Sequence, residues 1–563
     1  MNTMSVEDEE NNKVLSERLL GNDGEELYNN LNIGDTYHHS HDHNNHTNDD
    51  DDDNEIGEIV IDSGPGGNNN NNNIGGGGPF FGQQHQQQQN NNNDNNQTPQ
   101  RPEYRDTPFA IAFLIHILLV FFFAVVWGFS ALRQPQDDKD GSNNAGTGDG
   151  DDSNSSSSNS NVSLSGLLWL CSLTCFVSIG ISAVSLQVMM NHSEILIQSS
   201  LIGSCCFMVL MILLFFIDGV ITVGICWCIL LLMTVLYTRS VWNRIPFAAA
   251  NLRTALSAIQ TNGGICILAY GISCVAMIWT MIWSLALIGI SFKESSCVGG
   301  VCKPHMNVIS IIFLILSFYW TTQVLQNILH VTVSGVVGTW WFDPQDALSV
   351  FSPSIVDSFR RSTTYSFGSI CMGSLLVAII QTMEAMARSA RQNNTGGILL
   401  CIIECILRLI SRIAVYFNRW AYCYVGLYGF DYISSGKKAM ELFQARGWTT
   451  IITDNLIHRS LSLVSIVIGA LSGIIGMLLA KATGWTTTIF GSSSSSSDGI
   501  VFFVCFLIGV SMAFILMSVV LSAVDTVIVA FAEAPAEFNT HHPALYNNMI
   551  EKWKLVFPDE CGF

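Results

Sequence analysis

Charge is what this sequence has least of. Only 12% of its 563 residues are Asp, Glu, Lys or Arg, and the bases number 25. No basic stripe occurs anywhere, which removes nucleic acid from the candidate partners. The net charge of -20 comes largely from acids gathered around 49–53 and 137–152, so it marks two polar segments and not a broad acidic face. Catalytic signatures are missing as well. There is no HExxH, GxSxG or GxxxxGK[ST], and no paired His and Asp inside an apolar run, so an enzyme is not expected and no cofactor is implied. A basic start followed by an apolar run is also lacking at Met1, so no secretory leader is expected.

What is present is apolar, at 49% hydrophobic residues and a mean hydropathy of +0.34. The first hundred residues contribute almost none of it. They are built from Asn, Gln, Asp, Gly and His, with runs at 68–73, 86–89 and 90–93. Such a segment buries too little apolar surface to offset chain entropy, so residues 1–107 are expected to form a disordered cytosolic tail. The histidines at 38, 39, 41, 43 and 46 have no fixed geometry around them, and no metal site is assigned to them.

The remainder reads as an all-α polytopic membrane protein, since about 20 helical residues cross a ~30 Å hydrocarbon core. Ten spans are expected, at 108–132, 165–190, 199–217, 219–238, 265–291, 306–332, 365–387, 397–416, 460–482 and 499–531, within a transporter domain of 108–532. A cytosolic tail at 533–563 follows. Ten is even, so both termini face the cytosol. Arg101 and Arg105 before the first span agree with that orientation, as do Arg239, Arg244, Arg253, Arg360, Arg361, Lys437, Lys438, Arg446 and Arg459 in inner loops. Arg388 and Arg391 do not, because this count places them outside. The first outer loop carries the sequons Asn154-Ser-Ser and Asn161-Val-Ser, so Asn154 and Asn161 are expected to be glycosylated. Most of the sixteen cysteines lie in apolar runs and act as small apolar residues. Cys297 and Cys302, in the outer loop CVGGVC, are expected to form a local disulfide.

Two inner segments are amphipathic, 251–259 and 439–457, and suit a bundle end or membrane surface. Tyr546-Asn-Asn-Met has the form of a tyrosine-based sorting signal, a pattern short enough to occur by chance.

The chain is organised around 307–342, NVISIIFLILSFYWTTQVLQNILHVTVSGVVGTWWF. It begins apolar and then carries Trp320, Gln323, Asn327 and His330 at helical spacing, one stripe that lipid cannot solvate. That stripe must face other helices or water. Ionisable residues inside spans are few: Glu384, Glu404, Arg408 and Asp525, with Asp218 at a turn. Glu404 and Arg408 are spaced to pair with each other. Asp525 has no partner on its own helix, and is either a cation or proton site or a buried hydrogen-bonded contact. Tyr270, Trp279 and Trp283 on the fifth span, with Tyr319 and Trp320 on the sixth, supply ring faces. A quaternary ammonium, which donates no hydrogen bond, is held by such faces, at up to ~2 kcal/mol each when dry. Aromatics in membrane helices are more often core or belt residues, and their place beside two glutamines is what favours a site.

The run YWTTQVLQNILHVTVSGVVGTWWF (319–342) resembles the central signature of the choline transporter-like family, especially its fungal branch named for a pH-nine-sensitive protein. SFGSICMGSLLVAIIQ (366–381), YFNRWAYCYVGLYGFDYISSGKKAMELF (416–443) and VDTVIVAFAE (524–533) resemble it too. The resemblance implies a ten-helix carrier with cytosolic termini, a glycosylated first outer loop and facilitated movement of choline or related amines, in some members by proton exchange. It places the protein in the plasma membrane. On that basis Trp279, Trp283, Tyr319 and Trp320 are expected to cage an ammonium, Gln323 and Asn327 to bind its hydroxyl, and Glu384 or Asp525 to supply charge or proton coupling. Gly335 and Gly338 would let the helix end bend or pack closely. The other function classes open to the sequence are a channel, a lipid scramblase and a non-transporting scaffold.

Overall fold

The computed structural model describes residues 103–130, 164–294, 296–298, 301–303, 307–347, 349–392, 397–447, 456–484 and 495–557. The unit 1–74 lies outside these, as do the histidine cluster and both sequons, Asn154 and Asn161. Everything below concerns the second unit, Gly75–Phe563.

Long apolar runs leave the backbone one way to satisfy its polar groups in lipid, and among the described residues fifteen α-helices form. They are α1 (Thr107–Phe123, continued by a π-turn at Ala124–Gly128), α2 (Leu164–Asn191), α3 (Ser193–Ile217), α4 (Ile221–Val241), α5 (Ile245–Thr261), α6 (Gly264–Glu294), α7 (Val308–Phe342), α8 (Pro353–Thr363), α9 (Phe367–Gln392), α10 (Gly397–Tyr428), α11 (Tyr432–Ala445), α12 (Leu456–Ala482), α13 (Ser495–Glu533), α14 (Pro535–His541) and α15 (Pro543–Val556). The short strands β1 (Ser296–Val298) and β2 (Val301–Lys303) pair antiparallel between α6 and α7.

Among the described residues, nine helices are long and apolar enough to cross a membrane. The eighth expected span, 397–416, falls in α10, which is 32 residues long and is not one of those nine. It differs in composition, because Glu404, Arg408, Arg412 and Arg419 interrupt its apolar face. The protein is an all-α polytopic membrane protein.

α7 is the axis. It touches α6, α8, α9, α10, α13 and α14, and between Ile328 and Trp341 every residue but His330 is buried. A helix hydrophobic on all sides belongs inside a bundle. Gly335 is where it meets α8, since a Cβ there would stand 2.7 Å from Ser358 Oγ. Gly426 of α10 lies against α7 in the same way, 2.6 Å from Ser334 Cβ and 2.7 Å from the Val331 carbonyl. The glycines therefore serve close packing and not a bend: α7 runs unbroken to Phe342.

Two devices close one end of the bundle. Asp106, at φ 49°, accepts from Ser369 Oγ at 2.6 Å and from the Tyr432 amide at 3.1 Å, so one carboxylate ties α1 to the first turns of α9 and α11. At the C-terminus, His541 Nδ1 and His542 Nε2 donate to the Trp341 and Trp340 carbonyls at 3.1 and 3.0 Å, satisfying two acceptors that the end of α7 leaves open. His542 also stacks on Trp340, ring centres 4.0 Å apart, and Trp341 stacks on Phe538 at the same distance. The expected amphipathic segment 251–259 lies in α5, whose Leu252, Ala255 and Leu256 are buried. Its Asn251 Oδ1 accepts from Trp553 Nε1 of α15 at 3.0 Å. The second amphipathic helix, α11, starts at Tyr432 and stops at Ala445.

Candidate functional site

Three of the four stripe residues of α7, Trp320, Asn327 and His330, bond to neighbouring helices. Trp320 is buried and its Nε1 donates to the Cys371 carbonyl of α9 at 3.1 Å. One face-width along, Gln323 is half-buried. Asn327 Nδ2 donates to Ser374 Oγ of α9 at 2.9 Å, and Ser374 lies 3.4 Å from the Tyr422 hydroxyl of α10, which donates to the Ile370 carbonyl at 3.1 Å. His330 lies 2.7 Å from Ser522 Oγ of α13 through Nδ1 and 3.2 Å from the Arg419 carbonyl of α10 through Nε2. Ser334 Oγ accepts from Thr526 of α13 at 2.9 Å, and Thr332 donates to Ser362 of α8 at 3.0 Å. These bonds form a polar seam of successive rungs from Trp320 to Ser334, half-buried at Gln323, Asn327 and His330 and shared by α7, α9, α10 and α13.

The ring residues gather in two groups at the upper end of that seam. His116, from α1, stacks on Trp320 with ring centres 4.9 Å apart and meets Trp279 edge-on at 6.1 Å, while Phe113 covers Trp320 edge-on at 5.2 Å. His116 Nε2 lies 2.9 Å from Ser317 Oγ. Trp279 is buried, and its Nε1 has no hydrogen-bond partner among the described residues. Trp283 and Tyr319 form the second group through Phe318: Trp283 Nε1 donates to the Leu314 carbonyl at 2.9 Å and its ring stands 5.0 Å from that of Phe318. His116 thus lies in ring contact with both Trp320 and Trp279.

The charged residues fall elsewhere. Asp525 has its partner on another helix, the Arg419 guanidinium of α10, and both lie at the His330 rung. Ten residues of α7 separate that rung from Trp320, roughly 15 Å along the axis, so this conformation does not bring rings and carboxylate into one pocket. Glu384 sits near the other end of α9. It pairs with Arg388 at 2.8 Å and Arg408 at 3.3 Å, while Glu404 pairs with Arg391 at 2.9 Å and Arg408 at 2.8 Å. This cluster explains Arg388 and Arg391, the two bases on the unexpected side. They neutralise two acids that α9 and α10 carry at membrane depth, a local requirement that outweighs the loop-charge rule. The expected Glu404–Arg408 pair is present within it.

Outside the spans, burial raises the Tyr432 phenol, whose hydroxyl donates to Asn418, and lowers the His542 imidazole, an effect partly offset by its bond to the Trp340 carbonyl. The strand register sets Cys297 opposite Cys302. Their side chains lie outside the described residues.

Sequence reasoning missed His116 and Arg419. The first sits alone in an apolar helix, and the only signal was that a lone polar residue there needs a partner. The second falls beyond 416, where the eighth span was expected to end, although α10 continues to Tyr428.

The chain is 30% identical over 330 residues to Protein PNS1 of Gibberella zeae, covering 56% of this chain and 59% of that protein. It is 30% identical over 299 residues to a CTL-like protein of Dictyostelium discoideum, covering 52% of each. With Protein pns1 of Aspergillus fumigatus it shares 29% identity over 331 residues, 56% of this chain and 60% of the other. The matches thus span about half to three-fifths of those relatives. The model of the plasma-membrane choline transporter family matches residues 225–536, which hold α5 to α13 and the whole polar seam. Because that match takes in more than half of the sequence, the chain belongs to the plasma-membrane choline transporter family.

Proposed function

We propose that this protein is a membrane carrier for choline or a related organic amine, which passes along the α7 seam by alternating access. The observation that supports the reading is the seam itself. A polar run of Asn327, Ser374, Tyr422, His330, Ser522 and Thr526, half-buried at Asn327 and His330 and buried at the other four, is costly to build among membrane helices and unnecessary for packing. Its groups hydrogen-bond one another across four helices, so small relative movements of those helices would expose them in turn to either side.

The two ring groups together supply the ammonium station. Trp279, Trp283, Tyr319 and Trp320 offer faces, Gln323 and Asn327 lie below them for a hydroxyl, and entry requires His116 to leave Trp320. The charge comes from Asp525, at the next rung down. Glu384, already shared by two arginines, serves as an outer ion-pair anchor between α9 and α10. Proton linkage would run through Asp525 and its neighbour His330. The same reading carries a plasma-membrane location, cytosolic termini, glycans at Asn154 and Asn161, and a Cys297–Cys302 disulfide.

Uptake of labelled choline into proteoliposomes tests the assignment. A carrier gives saturable uptake that unlabelled choline competes away. Linear, unsaturable flux would point to a channel, and loss of lipid asymmetry without choline flux to a scramblase.

A further inference from the structure

The carboxylate of Asp525 is already holding a cation. Its side chain is 6% exposed, and the Arg419 guanidinium that binds it also lies over the ring of Trp420, with Cζ 4.6 Å from the ring centre. A cation that touches both a carboxylate and the face of a tryptophan is held by the chemistry that retains an organic ammonium. Here the protein fills that position from within.

We propose that Arg419 is a built-in surrogate for the transported cation: it occupies the Asp525 position when the carrier is empty and yields it when a substrate amine arrives. The inference rests on the carrier reading and deepens it.

Three features suit the role. The Arg419 side chain is 20% exposed, against 6% for Asp525, so the guanidinium can withdraw toward water while the acid cannot. Its backbone is held in place, because the Arg419 carbonyl lies 3.2 Å from His330 Nε2 and accepts from Cys423 Sγ at 3.4 Å; only the long side chain has to swing. Trp420 is fully buried, so its ring holds its face in a fixed place against the guanidinium.

The physical need is clear from the transport cycle. A carrier that releases its cation must return empty, and an unpaired carboxylate at membrane depth opposes that step. Arg419 removes the obstacle by pairing with Asp525 on the way back. Without it, the site could cross only when loaded, and net transport would become exchange.

Purified full-length protein in proteoliposomes, assayed with labelled choline, separates the two modes. Arg419→Gln should lose net uptake at least about tenfold, since an unpaired acid at depth costs more than the ~1.4 kcal/mol of a factor of ten, while choline-for-choline exchange persists. Equal effects on both modes, whether both are lost or both kept, would overturn the proposal. The double variant Arg419→Gln, Asp525→Asn guards against misfolding, because it leaves no buried charge unpaired. It should lose uptake and exchange together, having no carboxylate to offer. Uptake at the unaltered level in that variant would show the pair to be a structural tie only. If the unaltered protein moves no choline in either mode, the carrier reading itself falls and this inference with it.

Discussion

At the scale of single residues, Trp320 is the sharpest test of where the ammonium rests. It is buried among His116, Phe113 and the Cys371 carbonyl, so replacing it removes ring faces from one station without touching the Arg419–Asp525 pair. Trp320→Ala should lower choline uptake by roughly tenfold, about the worth of one dry cation–π contact, with cell-surface expression unchanged. Normal uptake by that variant would remove Trp320 from the route. His542 gives a second residue-scale prediction. Burial depresses its folded pKa below the ordinary 6.5, so the stability it contributes is present above pH 6.5 and drains away as pH falls through the lower folded value. Amide protection factors across 535–556, corrected for the intrinsic pH dependence of exchange, should therefore fall as pH is lowered from 7 to 5, and His542→Gln should flatten that dependence. The sequence made Trp320 and Asn327 legible because a polar residue on an apolar helix must be paired or wet. It did not reveal that Trp320 would be covered by His116, a residue two hundred positions away in the chain, because only tertiary packing brings those rings together.

At the scale of elements, α7 was legible nearly end to end, since its polar stripe and its small residues both demand neighbours. α10 was not. Its hydropathy is broken by Glu404, Arg408 and Arg412, and its true end lies at Tyr428, so a reading based on apolar length alone stopped short of Arg419. The α9–α10 hairpin shows why those charges are tolerated. Glu404 is 6% exposed and pairs with three arginines that are each about half exposed. Glu404→Gln should destabilise the protein by about 1–2 kcal/mol, below the 3–5 of a fully buried broken pair because water still reaches the arginines. A melting curve of the detergent-solubilised variant checks this. An unchanged midpoint would mean that the cluster is a solvated rim with no structural weight.

At the scale of the whole molecule, the helix count decides orientation. Nine described helices are long and apolar enough to cross a membrane, and the carrier reading counts the charged α10 as a tenth crossing, which would put both ends of the described bundle on one side. Epitope tags at the N- and C-termini should both stay hidden from antibody in intact cells and become accessible on permeabilisation. A tag that is reached from outside at either end would break the ten-span count. The bundle was readable from hydropathy because lipid imposes a simple length rule on every span. The seam was readable only as a demand for partners, because which helices supply them is set by packing.

The central claim is that the polar seam of α7 carries an amine by alternating access. Counterflow measures it most directly: proteoliposomes loaded with unlabelled choline are diluted into trace labelled choline. The account predicts a transient accumulation of label above equilibrium, reduced in Trp320→Ala. Label that only rises to equilibrium, with internal choline having no effect on its rate, would contradict it.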